Sequence, residues 1–480
     1  MQGSDGGCGQ PAMFAPVLAG HGNGVPWLRR CRQDTFPRSR PREAPGGFRH
    51  PPRPPTSALP PRGNPANRRA RSPMSLPALP DDANVIVVII RWRVTRGVVV
   101  AVAVLLSLFY LRGYRRAYDP VYGWTRMISF GGACAADALP RLQRLTHHVT
   151  PPGDPGADGQ FYAQMALDPS LRDPGFDAAL DNPTYRGRRI GLPALAYLLG
   201  GFKPRRVVQA YALANLFFWF GLLGLLLHLL RPATGRALLC LCAALLGYGV
   251  IASMELAVTD LPATTLLFAA LALGATPGGY GALAAAALTR ETSALAAFSL
   301  LDLRRPQPWR RTTALLAGGL LPLALWTLYV LGRFGHAQDA AGARNFSLPL
   351  VGLGQCFATD VARAWEAGLD PAAPLGWLYA DDAPRKVFAV AGMFFQGLYL
   401  ALRREPASAV WRTGVLYAGL CAVLGTAVWE EPSNAARATL PLAVCCYLRL
   451  ARETGRWFWP FFVLGSLSLP YAVHEFWTYA

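Results

Sequence analysis

Lysine is nearly absent from this chain, and charge of either sign is scarce. Only Lys203 and Lys386 interrupt a basic set otherwise made of arginine, and charged residues are 16% of the sequence against 52% hydrophobic. So little charge excludes two or three soluble domains, although 480 residues would suffice for them. The nine cysteines form no CxxC pair or other ligand spacing, which excludes a zinc ribbon or a dithiol redox motif. Most of them fall inside apolar runs, where a small buried thiol is ordinary. Cys134 and Cys356 lie outside those runs, in segments expected on one side of a membrane, where a disulfide between them is allowed. His147-His148 has no acid or cysteine at ligand spacing, so no metal is expected there. The N-terminal region lacks the apolar stretch of a secretory signal. Arginine in place of lysine marks a GC-rich, bacterial coding sequence.

The formal charge of +19 does not point to a nucleic-acid partner. Residues 1–80 alone hold twelve arginines against three acids, in a Pro- and Gly-rich stretch containing Pro51-Pro52-Arg53-Pro54-Pro55. Such a composition cannot bury a core and is expected to be a disordered tail. Met74, where the sequence turns protein-like, is an alternative start. The remaining excess lies in short segments between apolar runs, where positive charge sets membrane orientation.

Those runs are what the chain does have. From Val94 onward, apolar stretches of membrane-spanning length recur. Nine full spans are expected: Val94 to Leu111, Val207 to Leu230, Leu238 to Ser253, Leu261 to Gly274, Leu315 to Leu331, Val387 to Leu402, Val410 to Val428, Ala438 to Leu448 and Phe458 to Val473. Val85 to Ile90 is too short to span and is expected to lie at the interface. Ile190 to Phe202 is also short and is expected to dip without crossing. Gly281 to Leu303 has the length but carries Thr289-Arg290-Glu291-Thr292 in its middle, and each charge there costs roughly 2.5–3.5 kcal/mol at the bilayer centre. That segment is expected to be broken or to face a polar cavity. The fold class is therefore all-α, a polytopic transmembrane bundle of about 9–11 helices, comprising residues 81–480, with large extracytoplasmic loops at 112–189 and 332–384.

The acids collect on one face of this scheme. In the first loop stands Asp158-Gly159-Gln160-Phe161-Tyr162, followed by Asp168-Pro169. A lone carboxylate beside a low-dielectric surface is expected to have a raised pKa and to serve as a general base toward a hydroxyl, which makes Asp158 the candidate catalytic residue. Capping of the following short helix is the structural alternative. Gln160 and Tyr162 are candidates to orient Asp158 or bind a sugar hydroxyl. Asp119 and Asp154 each precede proline in a turn context that explains them. Arg186, Arg188 and Arg189, where the loop returns to the membrane, suit bidentate phosphate contact, as does Arg437; headgroup anchoring is the alternative for the first three. Glu255 and Asp260 bracket a break between spans, as ligands for the acceptor or a cation, or as polar caps; two carboxylates alone are a weak metal signal. Arg290 and Glu291 are adjacent, roughly 100° apart on a helix, and need not pair with each other. They are read as a substrate contact or as struts between helices.

In order and spacing these pieces resemble the GT-C class of integral membrane glycosyltransferases, especially bacterial relatives of the lipid-linked mannosyltransferases. The matching residues are Asp158 to Tyr162 with Ala166-Leu167-Asp168-Pro169, Arg189-Ile190-Gly191-Leu192-Pro193, Glu255, Leu288-Thr289-Arg290-Glu291-Thr292, and Asn434 to Arg437 with Leu440-Pro441-Leu442. The resemblance covers residues 94–476. It implies a polyprenyl-phosphate sugar as donor, a glycan, lipid or protein acceptor outside the cytoplasm, Asp158 as the loop acid, and a multi-pass protein of the bacterial plasma membrane. Gln160 stands where the family has a second acid, which argues against metal dependence; no cofactor is expected, with a divalent cation as the alternative. The competing classes are a lipid-linked sugar flippase, with the Arg290-Glu291 segment as its site, and a non-catalytic subunit of cell-surface polymer assembly.

Orientation is testable by single-cysteine labelling in a cysteine-free background, with probes at Asp158, Thr234, Glu255 and Gln307. Positive-inside counting, with the N-terminus in the cytoplasm, predicts that an impermeant reagent on sealed cells reaches 158 and 255 and misses 234 and 307. Labelling at 234 with protection at 255 would separate Glu255 from Asp158.

Overall fold

The computed structural model describes residues 94–146, 150, 154–301, 308–335, 345–368 and 382–479. The expectations for the tail, Met74, the 85–90 segment, His147-His148 and position 307 lie outside these residues. The described chain is all helix, with only isolated bridges and no strand.

In chain order, α1 is Arg96–Arg116 and is followed by a layer of short helices: α2 (Pro140–Gln143), α3 (Gly159–Leu167), α4 (Phe176–Ala179) and α5 (Pro183–Gly187). Next come α6 (Gly191–Leu199), α7 (Pro204–Leu230), α8 (Gly235–Leu245), α9 (Tyr248–Glu255), α10 (Asp260–Leu273), α11 (Pro277–Thr289) and α12 (Ala297–Leu300). The second half holds α13 (Trp309–Leu315), α14 (Leu321–Phe334), α15 (Val351–Gly368), α16 (Asp382–Leu402), α17 (Ala409–Val423), α18 (Thr426–Trp429), α19 (Pro432–Ala438), α20 (Leu440–Leu450), α21 (Phe458–Gly465) and α22 (Leu469–Tyr479).

Four of these helical stretches are long and apolar enough to cross a membrane: α1, α7, α8 with α9, and α13 with α14. α7 shows why. Its 27 residues rise about 40 Å, more than the roughly 30 Å of a hydrocarbon core. Val208, Tyr211, Ala212, Asn215, Trp219, Leu222 and Leu226 form its buried stripe at helical spacing, while Phe217 and Phe220 on other faces are exposed. Large apolar side chains turned outward also mark α1 and α14, including Leu105, Leu108, Leu325 and Leu328, which suits a lipid environment.

Nine full spans were expected, and the described helices supply four of that length. Several apolar runs are broken. Val410 to Val428 ends as helix at Val423, because the 345–350 segment takes up the backbone there: Ser347 N–H donates to the Val423 carbonyl at 2.9 Å and Gly425 N–H to the Asn345 carbonyl at 2.7 Å. Phe458 to Val473 is interrupted between α21 and α22, where Gln396 and Tyr447 both donate to the Gly465 carbonyl, at 2.7 and 2.9 Å. The expected 332–384 loop contains the eighteen-residue α15. Cys134 and Cys356 are free thiols, each facing a backbone carbonyl.

The break expected around Arg290 is present. α11 stops at Thr289, Arg290 is extended, and a 3-10 turn covers Glu291–Ala296. Gly191, opening α6, sits so close that a Cβ there would lie 2.4 Å from Thr289 Oγ1, so only glycine lets α6 meet the break. Arg290 forms an ion pair with Asp260, the first residue of α10, and the Asp260 side chain is buried.

Removing one partner of a buried pair strands the other charge, at about 3–5 kcal/mol. Asp260→Asn should therefore lower thermal stability in detergent sharply, and Asp260→Asn with Arg290→Gln should recover part of the loss. A double variant no more stable than the single one would deny that the pair holds the break.

Candidate functional site

The site grows from α3, whose nine residues are all buried. A helix buried all round needs partners on every face, and it has them: Leu139 and Leu142 from the α2 region, Phe176 from α4, Ile190 and Leu192 near α6, and Val207 and Tyr211 from α7 share its core. Two amides one turn apart tie it down. Gln160 Oε1 accepts from Gly131 N–H at 3.0 Å while its Nε2 donates to the Pro155 carbonyl at 2.6 Å. Gln164 Oε1 accepts from Leu139 N–H at 2.8 Å and its Nε2 donates to the Ala179 carbonyl at 3.0 Å. Gln160 thus spends both ends of its amide on the loops that frame α3.

The start of α3 presses on the turn between α9 and α10. A Cβ on Gly159 would lie 2.3 Å from the Leu256 carbonyl oxygen, a contact only glycine avoids. That turn is held by Tyr211 Oη, donating to the Ala257 carbonyl at 2.6 Å, and by Asn215 Nδ2, donating to the Val258 carbonyl at 3.0 Å. Ala257 itself has φ +44°, an unusual conformation for a residue with a Cβ. Asp158 is thereby delivered beside the Glu255-to-Asp260 turn.

Asp158 does not cap α3 with its side chain. Its Oδ1 lies 2.8 Å from Arg186 Nη2, and the side chain is 33% exposed. Arg186 is clamped from behind by Asp181, with Nε donating to Oδ1 at 2.9 Å and Nη2 to Oδ2 at 2.7 Å. Tyr162 Oη accepts from Arg189 Nη1 at 2.8 Å and from Arg186 Nη1 at 3.4 Å, joining the two guanidinium groups. Arg189 in turn makes a two-pronged pair with Glu291, 2.9 Å from Nε and 2.7 Å from Nη2, and donates to Tyr185 Oη.

This surrounding reverses the expected pKa direction at Asp158. Burial alone would push the carboxyl up, but the charges of Arg186, Arg437 and Arg189 outweigh it and hold the group well below the usual carboxylate range. Asp158 is not a lone acid; it is the counter-ion of an arginine cluster.

Arg437 completes that cluster from α19. The close packing of α19 on α9 sets its position, since a Cβ on Gly249 would fall 2.4 Å from the Ala436 carbonyl. Arg437 is 6% exposed, donates from Nε to the Ser433 carbonyl at 3.3 Å and from Nη2 to Asn434 Oδ1, and its buried Nη1 has no hydrogen-bond partner among the described residues. Unmade hydrogen bonds on a buried cation are costly, so such an atom is a ready anion donor.

Of the sequence candidates, Asp158, Tyr162, Arg186, Arg189, Glu291 and Arg437 converge. Glu255 lies on the neighbouring turn, buried, with Oε1 lacking a hydrogen-bond partner among the described residues. Arg188 is half-buried at the C-terminal end of α5. Arg290 turns to Asp260. Asp119 and Asp154 accept from backbone N–H groups two or three residues on, as turn residues do. Asp181, Tyr185 and Tyr211 were missed. Asp181 had a signal, because Asn182-Pro183 reads as a cap and N1 proline, which sets the turn that folds residue 181 back over Arg186. Among the described residues no three His, Cys, Asp or Glu side chains gather as a metal site.

No protein-family model, curated protein or solved structure matches the chain. Any activity must therefore be argued from the site.

Because a Cβ at Gly159 meets backbone and not a flexible side chain, Gly159→Ala should destabilise the protein by about 1–3 kcal/mol through overpacking. Thermal unfolding in detergent measures it, and an unchanged midpoint would mean that α3 does not press on the 256–257 turn.

Proposed function

We propose that the chain is a membrane glycosyltransferase of GT-C type that moves a sugar from a polyprenyl-phosphate donor to an acceptor hydroxyl on the extracytoplasmic face of a bacterial plasma membrane, in cell-surface glycan or glycolipid assembly. The observation that carries the reading is the pairing of a partly exposed carboxylate, Asp158, with a buried arginine, Arg437, whose Nη1 lacks a partner among the described residues, within electrostatic reach of each other.

The arginines divide the work. Arg186 is taken up by Asp181, Asp158 and Tyr162, and Arg189 by Glu291, Tyr162 and Tyr185. Arg437 is then the donor-phosphate ligand, with Arg188 a second candidate. In the transfer, the acceptor oxygen bonds the anomeric carbon as its proton passes to Asp158. The bond to the phosphate oxygen breaks, and its electron pair leaves with the prenyl phosphate, where Arg437 N–H groups meet the developing charge. Asp158 at rest is a weak base because three arginines favour its ionised form. Arrival of a phosphate adds negative charge beside those arginines and raises the proton affinity of Asp158 when it is needed.

A flippase would use the interrupted helix, yet Arg290 and Glu291 there are engaged by Asp260 and Arg189. The test is sugar transfer in membranes from a labelled prenyl-phosphate donor. Asp158→Asn should reduce turnover at least a hundredfold, in the range general bases contribute. Arg437→Gln should raise the donor KM and also lower kcat, because the guanidinium both binds the phosphate and meets the charge developing on it. Full turnover in Asp158→Asn would sink the assignment, and lipid movement between leaflets of vesicles without sugar transfer would favour the flippase.

A further inference from the structure

The exposed acid behind the cluster, Asp181, has no role in the transfer itself, yet both of its carboxylate oxygens are engaged. Asp181 precedes α5, and the Asn182 side chain caps that helix by accepting from Tyr185 N–H at 2.9 Å, which fixes the first turn. Asp181 Oδ1 accepts from Asn182 N–H at 2.8 Å and from Arg186 Nε, so its carboxylate is oriented before it meets the guanidinium. Three aromatic rings also lie near the Arg186 guanidinium, with Phe161, Tyr185 and Tyr162 ring centres 5.0, 5.4 and 5.8 Å away.

A fork held at Nε and Nη2 by one carboxylate has a single orientation in its plane, and that orientation aims the remaining Nη2 hydrogen at Asp158. We infer that Asp181 is a positioning residue: it locks Arg186 onto Asp158, setting when that acid can take a proton and keeping Arg186 from leaving with the donor phosphate. The inference rests on the reading of Asp158 as the base of the transfer. At 45% exposure the Asp181 side chain contributes little to the core, so its removal should act through Arg186 and leave the fold intact.

Two readouts separate this inference from the transferase reading. Isotope-edited infrared titration of the full-length protein in lipid nanodiscs follows the Asp158 carboxyl, identified by its disappearance in Asp158→Asn. Asp181→Asn should move that titration upward by about one pH unit, as loss of an opposite charge at contact distance does, and Asp181→Glu should restore much of it. In an Arg186→Gln background Asp181→Asn should no longer move it upward. An unmoved titration, or a downward move in the native background, overturns the inference, since simple removal of a neighbouring negative charge would lower the value. The kinetic arm expects Asp181→Asn to shift the acidic limb of the kcat–pH profile upward together with the titration, with donor KM within about twofold, and an unmoved profile counts against the inference. A wild-type protein that transfers no sugar defeats the transferase reading, while the titration still decides the role of Asp181.

Discussion

A charge removed from water must find a partner, and the centre of this molecule is arranged around that demand. Asp181, Arg186 and Asp158 form one chain of contacts, Tyr162 joins it to Arg189, Arg189 engages Glu291, and the adjacent Arg290 engages Asp260. The lattice runs from the short-helix layer through α5 and the broken end of α11 to the head of α10. None of its members could be buried singly at tolerable cost; together they lock four separate stretches of chain into one arrangement.

Glycine is what lets those stretches approach closely enough. Gly159 against the Leu256 carbonyl, Gly191 against Thr289 and Gly249 against the Ala436 carbonyl each stand where a Cβ would sit inside van der Waals contact. The first brings Asp158 to the α9–α10 turn, the second seats α6, and with it Arg189, at the helix break, and the third brings Arg437 to the same region. Close backbone packing and charge pairing are therefore one device: the glycines set the distances over which the ion pairs form.

The functional consequence is a carboxylate that is charged and guarded at rest. Three arginines hold Asp158 ionised; Arg186 and Arg189 are also engaged by Asp181, Glu291 and tyrosine hydroxyls, while Arg437 has a buried N–H group without a partner among the described residues. On the transferase reading we propose, an anion that engages the spare group changes the field at the acid, so phosphate recognition and activation of Asp158 as a base would be a single electrostatic event.

The sequence alone determined that the chain is helical and apolar enough to cross a membrane, because hydrophobic run length and the scarcity of charge are local properties. It also placed the break at Arg290, since two adjacent charges cannot continue a lipid-facing helix, and it marked Asp158, Tyr162, Arg189 and Arg437 as chemistry-bearing residues. Only the tertiary structure decided their partners. The lone acid became the partner of one arginine in contact and lies within the field of two more, and its pKa direction reversed, because basicity depends on neighbours 28 and 279 residues away in sequence. Gln160 was drawn inward to tie two loops, and apolar runs that read as spans were cut where remote backbone segments claimed their hydrogen bonds. Composition records what a residue can do; distance and burial, fixed by packing between remote segments, select which of those capacities is used.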